Sequence, residues 1–99
     1  MVVVAGWFLI PDEIAHTSLG YYAELRKLDI DLHKYFLAQR LGRPIDWFEA
    51  ESDWSSNYRK RFNMQFKSRL QLISDRLAQR DLSTLQHKDV SELVYGQAA

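Results

Sequence analysis

The amino-acid sequence predicts an all-α fold: a long antiparallel helical hairpin with a short C-terminal helix and an extended apolar N-terminal segment, assembled as a homodimer that completes a four-helix core. Three observations carry this expectation. Leu19 to Leu41 is built of strong helix formers, with no proline and a single glycine near its front. Arg43 to Asp81 repeats apolar residues at helical spacing. Between the two, Gly42-Arg43-Pro44 leaves room only for a tight turn joining antiparallel neighbours.

The balance of residues agrees. With 99 residues, 46% hydrophobic and 13% aromatic, four Gly and two Pro, the chain reads as one folded domain, 1–99, large enough to bury a core without staples. The absence of cysteine excludes disulfides, thiolate metal sites and thiol nucleophiles, and fits a reducing, cytoplasmic setting. No apolar run reaches the roughly 18 residues of a membrane span, and Met1–Ile10 lacks the charged leader of a signal peptide, so no membrane partner is expected.

Met1–Ile10 mixes β-branched Val2, Val3 and Val4 with Trp7 and Phe8, which favours an extended, buried segment ended by Pro11. No second run has strand character, so this segment is expected to lie along the helices or to pair with its copy in a second subunit; a short first helix is the alternative. Asp12, Glu13, Thr17 and Ser18 are candidate starts for the next helix. On its wheel, Tyr21, Leu28, Leu32, Tyr35 and Phe36 join Leu25 on one face, while Ala23, Ile30, Leu37 and Leu41 lie nearly opposite. A helix apolar on two sides is sandwiched, and a second copy is the expected cover for one side.

Pro44 suits a first helical turn, and Asp46 with Glu49 reads as a capping box. Phe62, Phe66, Leu70, Ile73 and Leu77 then form one stripe, flanked by Trp47, Trp54 and Tyr58, with Phe48 on the other side. Ser55, Ser56 and Asn57 are the weak point, because their side chains compete for backbone hydrogen bonds. Unbroken, about 35 residues would span about 50 Å and overhang a compact monomer. Ser83-x-x-Gln86 is a second capping box, starting a short helix through Val94 that Gly96 would close, with Gln97 to Ala99 fraying.

Equal numbers of acids and bases, thirteen each, are sorted along the chain. Asp46 to Asp53 holds four acids and no base; Arg59 to Arg80 holds seven bases and one acid. In an antiparallel pair of copies these ends would meet and set the register. Trp47, Trp54, Tyr58, Arg59, Arg61 and Arg69 are the candidate protein-binding residues, since Trp, Tyr and Arg dominate binding hot spots. The alternative is a nucleic-acid-binding regulator that uses Lys60 and Lys67 on one face of the second helix, with Asn63 and Gln65 as polar readers.

Catalytic signals are poor. Glu13 and His16 have the spacing of a di-iron ligand pair, but the second pair is missing, since Asp29 stands one residue out of register from His33. There is no Gly-x-Ser-x-Gly and no phosphate loop. The expectation is a small non-enzymatic regulatory, adaptor or assembly module, acting as a homo-oligomer on another protein, with no metal or cofactor.

Overall fold

Thr17 opens the first helix: its backbone is extended and its hydroxyl accepts the Gly20 amide at 3.4 Å. The computed structural model describes residues 16–97, together with the backbone course of 2–5 and 8–11; Trp7, Asp12, Glu13, Ala98 and Ala99 lie outside the described residues. The helix, α1, runs Ser18–Leu41 and stops at Gly42, whose φ of 68° places it in the left-handed region that glycine enters without a Cβ clash. Ahead of it, β1 (Val2–Ala5) and β2 (Phe8–Pro11) pair antiparallel, Val2 opposite Pro11 and Ala5 opposite Phe8.

Asp46 caps α2 (Trp47–Asn57), its carboxylate accepting the Glu49 amide at 2.8 Å. Only half of the expected capping box forms, because the Glu49 carboxylate turns to Arg43, which donates to it through both terminal nitrogens at 3.1 and 2.6 Å. Pro44 stands two residues before the cap, in the connection rather than in the first turn. α1 and α2 pack as the antiparallel hairpin the short connection requires.

The long second arm does not form. After α2 come α3 (Arg59–Ser68) and α4 (Leu70–Leu77), separated by Tyr58 at φ −127° and Arg69 at φ −109°. Each bend has a local cause. The Asn57 side-chain amide donates to the Asp53 carbonyl at 3.1 Å, competing with the helix for that acceptor. At the second bend the Arg69 amide is shared between the Gln65 and Phe66 carbonyls at 3.1 and 3.3 Å, a tightened last turn. A straight rod of this length would need about 50 Å, whereas the longest dimension of the fold is 39 Å and its radius of gyration 13.5 Å.

Bending wraps the second half of the chain around α1. A 3-10 turn at Leu82–Thr84, capped by Asp81, leads to α5 (His87–Leu93). The reciprocal box here joins Gln86 to Asp89, three residues beyond the Ser83–Gln86 pair read from the sequence. α1 is packed by α2, α4 and α5 of its own chain, so both of its apolar faces acquire intramolecular cover over most of its length. The expected stripe survives both bends: Phe62, Phe66, Ile73 and Leu77 are buried and Leu70 is partly so. Phe62 is the hub, with Tyr22, Trp54, Phe66 and Tyr95 ring centroids 5.5 to 6.4 Å away. Among the described residues no helix is long and apolar enough to cross a membrane.

Two arginines fasten the C-terminal part. Arg69 donates to the Leu93 and Glu92 carbonyls at 2.7 and 3.2 Å, satisfying acceptors that the end of α5 leaves open, beside Gly96 at φ 67°. Arg80 grips the Asp89 carboxylate through two nitrogens at 2.8 and 3.2 Å. Burial alone would raise the Asp89 pKa, but the Arg80 hydrogen bonds, the Gln86 amide and the Arg80 charge outweigh it and hold the carboxyl below its ordinary range. A carboxyl so lowered adds stability above its unfolded pKa, near pH 4, and loses it as the pH falls through the folded value. Asp89→Asn should therefore lower the urea midpoint at pH 7 and flatten its decline between about pH 5 and 2; an unchanged acid limb would show that the contact does not contribute.

Candidate functional site

Leu25, Leu28, Leu32 and Phe36 line one face of α1, and an acid, Asp29, stands in the middle of it. The residue is 9% exposed, and a carboxylate so placed needs donors. Two arrive from distant parts of the chain: Trp54 Nε1–H of α2 at 2.7 Å and the Tyr95 hydroxyl, just beyond α5, at 2.9 Å, both on Oδ2. Each donor ring carries a guanidinium on its face, Arg26 over Trp54 at 5.1 Å and Arg61 over Tyr95 at 4.9 Å. Burial, the Asp29 charge and the hydrogen bond to it push the Tyr95 phenol well above its usual range, against the opposing charge of Arg61. Asp29 Oδ1 has no protein donor among the described residues.

Beside this junction a groove of about 360 Å³ opens. Asp29, His33, Phe36 and Arg40 of α1 form one wall, Trp54 and Tyr58 the wall opposite, and Arg61, Tyr95 and Ser91 close it. The size is that of a small-molecule or peptide side-chain site. Its mouth is aromatic: Phe36 is 55% and Tyr58 37% exposed. The Tyr58 ring lies 4.7 Å from that of His33, whose Nε2 is held by the Asp53 carboxylate at 2.6 Å. None of the lining hydroxyls hydrogen-bonds to His33, so the nucleophile–base contact of a hydrolytic site is not made in this arrangement.

The six candidate protein-binding residues separate. Tyr58 and Arg61 stand on the groove. Trp54 is 1% exposed and belongs to the core as well as to the groove's inner wall, so it is no surface anchor. Arg69 is occupied by the α5 carbonyls, and Arg59 points to solvent on α3. Trp47 is partly buried, with its Nε1 sealed from solvent and without an acceptor among the described residues. For the nucleic-acid alternative, Lys60 and Lys67 are exposed on α3; Asn63 accepts the Tyr22 hydroxyl at 2.5 Å, and Gln65 is half-buried. Of the metal-like spacings, Glu13 is outside the described residues and His16 meets the Arg80 carbonyl at 2.9 Å. Asp29 and His33 turn to different partners, and among the described residues no cluster of three or more His, Asp or Glu could hold a metal ion.

Asp29, Phe36, Arg40 and Tyr95 escaped the sequence reading as site residues. The signal for Asp29 was available, since a single acid inside an apolar helical face has to be met by donors from elsewhere. Tyr95→Phe removes one of those donors with little change in volume and should cost about 1.5–3 kcal/mol in urea unfolding, while in combination with Trp54→Phe the costs should be non-additive, because both groups serve one oxygen. A loss within about 0.5 kcal/mol for Tyr95→Phe would mean that Asp29 does not rely on it. Compared with protein-family models, with curated proteins and with solved structures, the chain matches none.

Proposed function

We propose that the chain is a small non-enzymatic binding module that receives a segment of another protein in the groove between α1 and the Tyr58 bend. The observation that supports it is the groove's make-up: exposed Phe36 and Tyr58, with the Arg40 and Arg61 guanidinium groups at its edges, is the residue mix of a binding hot spot. Its inner wall is held from both sides through Asp29, so it is formed before a partner arrives, which lowers the ordering cost of binding. A regulatory, adaptor or assembly role is the use such a module serves.

Two further readings each have an observation in their favour. Self-association is favoured by the edge-to-face pair Tyr35 and Phe36, 5.5 Å apart and both more than half exposed on α1. A nucleic-acid role is favoured by Arg59, Lys60 and Lys67, exposed on α3 and in none of the ion pairs of the described residues.

Site-directed photo-crosslinking separates them. With a benzophenone amino acid at position 36 or 58, irradiation in cell extract should give a discrete heavier protein adduct that the same probe at the exposed Gln71 does not give. Adducts of twice the chain's own mass would favour self-association. Nuclease-sensitive adducts, or none at either groove position, would contradict the protein-binding reading.

A further inference from the structure

The acidic run Asp46 to Asp53, which a symmetric dimer would offer to the basic run of its copy, is committed within its own chain. Asp46 caps α2, Glu49 holds Arg43, Glu51 holds Arg26 at 2.9 Å, and Asp53 holds His33. The arginines divide in the same way. Arg26, Arg43 and Arg80 have carboxylates, and Arg69 has the α5 carbonyls. Among the described residues Arg40, Arg59, Arg61 and Arg76 have neither, and of these Arg40 and Arg61 line the groove, Arg61 resting on the Tyr95 ring. Among the described lining residues one carboxylate and two guanidinium groups give a net positive charge, apart from the His33–Asp53 pair.

From this we infer that the groove's occupant is an acidic, amphipathic segment of a different protein, not a second copy of this chain. The inference rests on the protein-binding reading and names the partner's chemistry. Carboxylates of the segment pair with Arg40 and Arg61, an apolar side chain lies between Phe36 and Tyr58, and one N–H donates to Asp29 Oδ1. Asp29 and Arg40 are eleven residues apart on one helix, about 16 Å. The length corresponds to three helical turns or five extended residues of ligand.

Fluorescein-labelled helical peptides of roughly 12 residues, about 18 Å long, provide the test. Three share leucines at every third or fourth position and carry Glu, Gln or Lys at the remaining sites; a labelled oligo-dT is the fourth probe. Anisotropy titrations should show the Glu peptide binding at least about tenfold more tightly than the Gln peptide, and weakening about tenfold with Arg40→Glu or Arg61→Glu. The double variant should exchange preference and take the Lys peptide. Both arginines border open groove, and far-UV circular dichroism with a thermal melt confirms that each variant is folded.

Equal binding of Glu and Gln peptides would overturn the charge inference while leaving the groove as a protein-binding site. Binding of no peptide would overturn both. Oligo-dT binding abolished by the two arginine substitutions would assign the groove to a polyanion and overturn the inference in favour of nucleic acid.

Discussion

Asp29 is the constraint on which the remaining structure depends. A carboxylate in the middle of an apolar helix face is costly unless donors reach it, and the donors come from opposite ends of the wrapped half of the chain: Trp54 on α2 and Tyr95 after α5. One oxygen atom thus joins α1 to the first and last helices packed on it. The two donor rings, stacked under Arg26 and Arg61, also bring positive charge close to the buried acid without direct contact. Trp54 and Tyr95 in turn touch Phe62, so the polar junction and the aromatic core share walls. The groove lies beside this junction, lined by α1 from Asp29 to Arg40 and by Tyr58 at the α2–α3 bend.

The parts of the fold legible in the sequence are those governed by local chemistry. Gly42 and Gly96 take the left-handed conformations expected of helix ends, Asp46 caps α2, and the apolar stripe from Phe62 to Leu77 is the buried one. Ser55–Asn57, where the sequence leaves one kinked helix or two shorter ones open, is followed by a break at Tyr58, the next residue. What was not legible depends on where the chain goes after a bend. Periodicity cannot tell a straight arm from one that curls, so it could not show that α1 is sandwiched by its own chain. Nor could it rank aromatic residues: Trp54 is inside, while Phe48, six residues earlier, is 67% exposed. The second bend lacked a signal, because it involves Arg69, whose side chain is drawn to carbonyls of a helix more than twenty residues away.

Charge sorting along the chain has a different meaning once folded. The acidic stretch closes contacts with Arg43, Arg26 and His33 that hold the α1–α2 hairpin. Bases later in the chain divide between fasteners, Arg69 and Arg80, and side chains facing outward, Arg59, Lys60, Arg61 and Lys67. A neutral total therefore coexists with an outward basic surface, and the groove opens on its border.

Hydrogen exchange at the Trp54 indole N–H tests the Asp29 junction most directly, because that proton is the donor itself. If the junction holds the packed helices together, the indole proton should exchange only through global opening, with protection equal to that of the slowest backbone amides of α1. Exchange at the rate of an exposed indole, while those amides remain protected, would show that the hydrogen bond to Asp29 opens on its own and that the fold does not depend on it.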